Sequence, residues 1–521
     1  MRIKNIIIGS ALLLLGSSCS NFLDEFSQTY IRASKVSDYD ELLLGSVYVA
    51  SMNPQPPYSY GIPGGSSCDF FNYLDDDMNT VEEASLSMSG GLPYVQWLDM
   101  SRVLFGYSAW QQDITQTMLD DHDDSSTWVN LYQRIAILNT CLDELGRLDV
   151  TTEAEIEDKN RVLGECHFLR AQFYLILANL YGKPYNPETA STDLGVPLKT
   201  SSGVEHDKDK ETQFERTPLN EIYEQIVNDL RESITLLTGN SKGVLYRASE
   251  EAAAVLLSRV YLYMQEWENA KNVIEPYLTE NKLMLSSIVP LETFAGNTPF
   301  LTEENSEIIF SQGSLYSEMT FTANSPDFCV SRELYNLYDD KDVRKTCFTI
   351  NTRTDSIALT YKYRTDFHQS RVSDIFSIRA AEAYLNMAEA CAMMGGQDAL
   401  ANQYLNTLRR NRIIDYVDQS YSGEELVSQI RNERRKELCF EGHRWFDLRR
   451  YSVSNPYPYS KRIYRRYSVY TSDYVLEQTY TYVLEENDPA YVFDIPKSVK
   501  EFDVVPMPGN DRPVRNSINN E

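Results

Sequence analysis

The stretch from Ala253 to Leu278, Ala-Ala-Val-Leu-Leu-Ser-Arg-Val-Tyr-Leu-Tyr-Met-Gln-Glu-Trp-Glu-Asn-Ala-Lys-Asn-Val-Ile-Glu-Pro-Tyr-Leu, decides the fold class. Its first half, Ala253 to Met264, is apolar on more than one side, so neighbours must cover it on both flanks. Gln265-Glu266-Trp267 reads as a turn, and Asn269 to Leu278 as a second helix carrying Ala270, Val273 and Ile274. Two helices joined this tightly form a hairpin of tetratricopeptide type, in which a small residue such as Ala270 lets the pair approach closely.

The plan recurs along the chain. Ile378 to Met394, the Gly395-Gly396 break and Asp398 to Arg410 make another hairpin, with Arg379, Glu382, Asn386 and Glu389 as a narrow polar stripe on an otherwise apolar helix. Thr152 with Glu155 forms a capping box for a helix running to about Tyr181, stopped by Gly182 and Pro184. Thr217-Pro218 precedes a helix over Leu219 to Leu237, and Ser422 with Glu425 a further one over Leu426 to Phe440. Helices therefore fall mainly within 128–278 and 378–450. Gly-, Pro- and Tyr-rich stretches at about 53–112, 279–327 and 451–491 interrupt them. The expected fold is mainly α: a tetratricopeptide-like helix-hairpin superhelix bearing an irregular loop-rich lobe with a few short strands.

Composition narrows the function. The 521 residues include 76 Asp and Glu against 48 Lys and Arg, a net charge of −28. Nucleic acid is excluded as a partner, because phosphate neutralisation needs a basic face. Residues 1–18 read as an export signal: Arg2 and Lys4 precede the apolar run Ile6 to Leu15, which is too short to span a bilayer. Gly16-Ser17-Ser18 before Cys19 is a lipoprotein cleavage pattern, although Gly16 stands where such signals usually carry Leu. Cys19 is then the acylated first residue of a single mature unit, 19–521. The other seven cysteines are widely spread with no C-x-x-C pair, so free and mostly buried thiols are expected.

Catalytic signals are weak. The five histidines never fall within five residues of one another, no zinc motif of the H-E-x-x-H kind is present, and neither a G-x-S-x-G elbow nor a phosphate-binding glycine loop occurs. No cofactor, metal or catalytic residue is assigned. Asp75-Asp76-Asp77 and Asp120-Asp121-His122-Asp123-Asp124 lack EF-hand spacing and read as solvated acidic loops. Glu433 to Arg449 is the most charged stretch. Arg434 lies one helical turn from Glu437, and Glu437 one turn from Glu441, so this segment reads as a buried ionic brace packed by Phe440, Trp445 and Phe446, with Gly442 ending the helix. Sugars stack their C–H faces on flat rings while their hydroxyls need amides and carboxylates. Tyr73, Trp97, Tyr107 and Trp110, beside Asn72, Asp75 and Gln111, are the candidate ligand-binding residues, with core packing as the competing role for each ring.

These residues resemble the SusD/RagB family of surface lipoproteins from Bacteroidetes over essentially the whole mature chain. The likeness runs through Cys19-Ser20-Asn21-Phe22-Leu23-Asp24, then Trp128, Tyr132, Ile135 and Asn139, then Gly164-Glu165 with Phe168-Leu169-Arg170-Ala171, and Tyr181-Gly182-Lys183-Pro184. Arg216-Thr217-Pro218, Leu257 to Tyr263 and Asp342-Val343-Arg344 follow, and Glu433-Arg434-Arg435-Lys436-Glu437-Leu438-Cys439-Phe440-Glu441-Gly442-His443-Arg444-Trp445-Phe446-Asp447-Leu448-Arg449 is the most specific match. Phe493-Asp494-Ile495-Pro496 resembles the closing Pro-Ile-Pro segment without its first proline. The resemblance implies a protein lipid-anchored to the outer leaflet of the outer membrane and facing the cell exterior. There it would cap a SusC-type TonB-dependent transporter, bind an oligosaccharide and pass it inward uncleaved. A peptide ligand within the same architecture, a surface glycoside hydrolase and a purely structural lid are the rivals.

Overall fold

The Glu155 backbone N–H donates to the Thr152 hydroxyl at 3.3 Å and the Thr152 N–H to the Glu155 carboxylate at 3.2 Å. This reciprocal cap satisfies two otherwise orphaned donors and opens the helix Glu153–Tyr181, as its sequence predicts. The structure, a computed structural model, describes residues 33–49, 68, 70–80, 104–115, 126–203, 214–288, 299–313, 328–351, 355–363, 370–470, 476–502 and 504–518. Its principal helices are α1 (Val36–Leu42), α2 (Ser126–Gly146), α3 (Glu153–Tyr181), α4 (Leu219–Leu237), α5 (Glu250–Met264), α6 (Trp267–Thr279), α7 (Ala380–Met394), α8 (Asp398–Arg410), α9 (Gly423–Leu438) and α10 (Arg444–Val453).

From α2 to α8 each helix packs on the next, and α9 closes on α7, so the frame is a stack of helix pairs. The α5–α6 hairpin turns at Gln265, whose φ of +61° is left-handed, and the Ser258 hydroxyl donates to the Ala270 carbonyl at 3.0 Å. A residue larger than Ala270 would push these backbones apart. At the α3–α4 crossing, a Cβ on Gly164 would lie 2.8 Å from Leu237 Cγ, so glycine sets that separation too.

Three local expectations change. Ile378 and Arg379 are not helical: they belong to β6 (Phe376–Arg379), which pairs antiparallel with β2 (Ile308–Gln312). The polar stripe on α7 is therefore Glu382, Asn386 and Glu389, and each meets a guanidinium from another helix. Glu382 takes both arms of Arg259, Asn386 accepts from Arg434 at 2.8 Å, and Glu389 takes both arms of Arg450. Ser422 has the extended backbone of an N-cap but makes no side-chain cap bond, and Gly423 begins α9 at a φ of +57°. That helix ends at Leu438 rather than Gly442, and Phe440 at φ +55° and Gly442 at φ +72° form the turn that follows.

Among the described residues the lobe carries four two-stranded antiparallel sheets: β1 (Met78–Thr80) with β3 (Phe328–Val330), β2 with β6, β4 (Phe348–Ile350) with β5 (Ile357–Leu359), and β7 (Ile463–Tyr470) with β8 (Leu476–Leu484). The C-terminal stretch clasps it. Arg512 donates to the carbonyls of Gln111, Ala490 and Val492, and Arg515 to those of Trp110 and Val483. The seven described cysteines are free thiols, six of them buried. Among the described residues no helix is long and apolar enough to cross a membrane.

Candidate functional site

The charged segment at the end of α9 is buried and gathers partners from distant parts of the chain. Glu437 accepts from Arg344 at 2.7 Å, Arg379 at 2.6 Å and Arg412 at 2.9 Å, while Glu433 pairs with Arg409 at 2.6 Å and Lys436 at 3.0 Å. Glu441 holds Arg379 and Lys362, each at 2.7 Å, and Glu307 closes the ring on Arg412 at 2.7 Å. Burial by itself raises the Glu437 carboxyl, but Arg412, Arg379 and Arg344 outweigh it and hold the group well below the usual range. Such a carboxylate is a poor proton donor or base. The helical-neighbour pair expected between Arg434 and Glu437 does not form; Arg434 reaches Asp447 at 2.8 Å instead. His443 faces cations: burial first, then Arg259, Arg434, Arg379 and Lys362, keep its pKa well below 6.5, so the ring is neutral.

Beside His443 lies a cavity of about 40 Å³, lined in part by Gln172, Arg259, Tyr263, Ser377, Glu441 and Phe446. It has room for a water or two, far less than the several hundred Å³ of a small-molecule site. The ionic junction is thus a brace between helices and lobe.

The ring residues expected to face a ligand are placed inside the lobe. Tyr73 packs on Phe328 with centroids 5.0 Å apart, and Tyr107 stacks on Phe70 at 4.3 Å. Trp110, at φ +52°, donates its indole N–H to the Leu74 carbonyl at 2.7 Å beneath the Arg465 guanidinium. All three are buried, so in this arrangement they pack the lobe and offer no open face for stacking. Trp97 and Cys19, and the acidic run 120–124, lie outside the described residues.

The expectation of a solvated loop at Asp75-Asp76-Asp77 is corrected: these residues are 3%, 5% and 1% exposed. Asp76 accepts from Arg444 at 2.7 and 3.0 Å and from Lys461 at 2.7 Å, and Asp77 accepts from Arg435 at 2.6 Å. Burial, then Asp77 and Asp76, raise the Asp75 carboxyl well above its ordinary value. The three carboxylates lie within reach of one ion, and Arg435, Arg444 and Lys461 are paired with Asp76 and Asp77. Local sequence gave no hint of this, since those cations lie more than 350 residues further along.

At one end of the lobe, described residues from distant parts of the chain meet. Thr80, where the chain leaves β1, pairs with Phe328, where it enters β3, and the Thr80 hydroxyl donates to the Arg466 carbonyl on β7. Phe105, just after residue 103, meets Tyr467 at 5.2 Å and Tyr482 at 5.3 Å. Described residues flanking 81–103 and 314–327, namely Thr80, Phe105 and Phe328, are thus tied to β7 and β8 at this end of the lobe.

Two family models match successive parts of the chain. A SusD-like model described as starch-binding and associating with the outer membrane matches residues 82–262, and the SusD family model matches 349–511. The chain belongs to the SusD/RagB family. This SusD/RagB member is 23% identical over 397 residues to SusD-like protein P2 of Formosa agariphila, a span of 65% of this chain and 74% of that one. It is similar in structure to a SusD superfamily protein of Bacteroides thetaiotaomicron, with a TM-score of 0.65 at 21% identity over 92% of this chain and 100% of that one. A laminarin-binding SusD-like protein gives a TM-score of 0.55 at 18% identity over 92% and 99%. At these identities the likeness shows the mainly α SusD fold.

Proposed function

We propose that this chain captures an oligosaccharide outside the cell, tethered to the outer membrane by an acyl chain on Cys19, and delivers it uncleaved to a SusC-type TonB-dependent transporter. The observation that carries the reading is an ion-braced frame of helix pairs whose buried carboxylates are engaged by arginines and lysines, bearing a lobe in which Thr80, Phe328 and Arg466 meet. Loops on a stiff scaffold suit recognition. The carboxylates of the brace are held by arginines and lysines, which suits binding better than proton transfer. Further support comes from the outer-membrane and starch-binding description of the matching family model and from the laminarin-binding relative.

Within this reading Trp97 is assigned the stacking role. Tyr73, Tyr107 and Trp110 act indirectly, by packing the described part of the lobe. The test is calorimetric titration of the purified mature chain with laminarin and starch oligosaccharides, alongside a reducing-end assay and a peptide library. Glycan binding that Trp97→Ala weakens, with no release of reducing ends, is the expected result. Tight peptide binding with no glycan signal, or steady release of reducing ends, overturns it. Delivery is tested separately, by co-purification of the acylated protein with a transporter from solubilised outer membranes; a cytosolic, unacylated protein would overturn that part.

A further inference from the structure

Charges enter a protein interior only when compensated, because burial strips them of water. Among the described residues the buried lysines and arginines form ion pairs with five exceptions: Arg216, Arg431, Arg449, Arg465 and Arg512. Four of these are compensated in another way. Arg216 donates to the main-chain carbonyls of Tyr181, Leu194, Gly195 and Pro508. Arg465 reaches those of Asp75, Met78 and Ser108 over the Trp110 ring, and Arg512 those of Gln111, Ala490 and Val492 over the Phe493 ring. Arg431 lies 4.2 Å from the centre of the Tyr451 ring, with Glu389 in its field.

Arg449, on α10, is 1% exposed and makes a single hydrogen bond, from Nη2 to the Gly182 carbonyl at 2.5 Å. Its Nε and Nη1 meet no acceptor. Asp447, two positions earlier, is taken by Arg434 and Arg450. Burial pulls the Arg449 pKa down to about 10, opposed by the phenols of Tyr223 on α4, Tyr263 on α5 and Tyr491, none of which is a carboxylate. The guanidinium is therefore charged at neutral pH and lacks a counter-charge among the described residues.

Trp445 lies one helical turn before Arg449 on the same face of α10. It is 1% exposed and stacks on Tyr491 with centroids 4.5 Å apart, and its indole N–H also meets no acceptor. Water would satisfy these donors but would leave the charge uncompensated. The Tyr223 hydroxyl accepts from Asn179 and has a proton left to donate. Tyr263 also lines the cavity of about 40 Å³ beside His443, a space for a water or two and so for a monatomic ion.

We propose that Arg449 and Trp445 build a buried site for a monovalent anion of the size of chloride, held by Arg449 Nε and Nη1, Trp445 Nε1 and the Tyr223 hydroxyl. The ion supplies the missing counter-charge and ties α10 to α4 and to the Tyr491 turn. An ion that binds the folded chain and not the unfolded one raises stability as its concentration rises.

The experiment has two arms. Crystals of the mature chain are grown with bromide in place of chloride, and bromide is located by its anomalous scattering. Melting temperatures are then compared in sodium chloride and sodium gluconate at equal ionic strength, up to about 0.15 M, for wild type, Arg449→Met and Trp445→Phe. A bromide peak in contact with the Arg449 and Trp445 side chains is expected. The wild-type melting temperature should rise to saturation with chloride, less so in Trp445→Phe and not at all in Arg449→Met. If Arg449→Met does not fold, the bromide peak and the Trp445→Phe response decide. Density at Arg449 without anomalous signal, or a chloride response equal in wild type and variants, overturns the proposal. A peak seen only at salt far above physiological would be an adventitious ion only, and overturns it as well.

Discussion

Arg379 grips Glu437 by side chain and backbone together: Nη1 donates to Oε1 and Nη2 to the main-chain carbonyl, each at 2.6 Å. Arg379 ends β6 and Glu437 lies in the last turn of α9, so this pair fastens the strand layer to the helical frame. Glu437→Gln would leave Arg344, Arg379 and Arg412 crowded with less negative charge between them. Breaking a buried network from one side costs about 3–5 kcal/mol. Urea unfolding of the variant should show a loss of that order, and a loss below about 1 kcal/mol would mean the brace is not structural.

His443 makes stability depend on pH. Its folded pKa lies well below 6.5, held down by burial first and then by Arg259, Arg434, Arg379 and Lys362. The unfolded chain takes up a proton below its ordinary pKa that the folded chain refuses. The stabilisation is therefore complete above that pH and is lost as pH falls, by about 1.4 kcal/mol per unit. Glu433 and Glu441, whose folded values are lowered, act with the same sign at lower pH, their contribution fading as pH drops through their folded pKa values. Melting temperatures across pH 7 to 5, expressed as free energies, should show this slope in the wild type and a flatter one in His443→Gln. Equal slopes would exclude a neutral buried ring.

The two serine and threonine caps expected from sequence should respond differently. Thr152 makes its reciprocal bonds with Glu155, so Thr152→Ala should cost about 1 kcal/mol. Ser422 makes no side-chain cap bond, so Ser422→Ala should stay within about 0.5 kcal/mol. Denaturation midpoints of the two variants, measured together, decide this.

Trp110 tests the packing role of the lobe aromatics. Its indole is enclosed and bonded to the Leu74 carbonyl, so Trp110→Ala should cost about 3–5 kcal/mol. Tyr464, 52% exposed on β7, should tolerate alanine within about 0.5 kcal/mol. A Trp110→Ala variant of wild-type stability that no longer binds glycan would move the indole from the core to the ligand surface.

Much of the frame was legible in residue order. The α5–α6 hairpin, the Thr152 cap and the span of α4 follow from spacing, turn chemistry and apolar periodicity, all of which act over a few residues. The resemblance extended that reading to the family, because the Glu433–Arg449 stretch is itself contiguous. Even the brace was readable as a brace, although its pairs were not.

What residue order left open was who meets whom across the chain. Ile378 and Arg379 read as helical until β2, some seventy residues earlier, took them into a sheet. Asp75 to Asp77 read as solvated because nothing nearby in the chain announces Arg435, Arg444 and Lys461. Helix spacing, caps and turns are settled by neighbours along the chain. The burial of a charge or a ring is settled by partners hundreds of residues away, which only folding brings within a few ångströms.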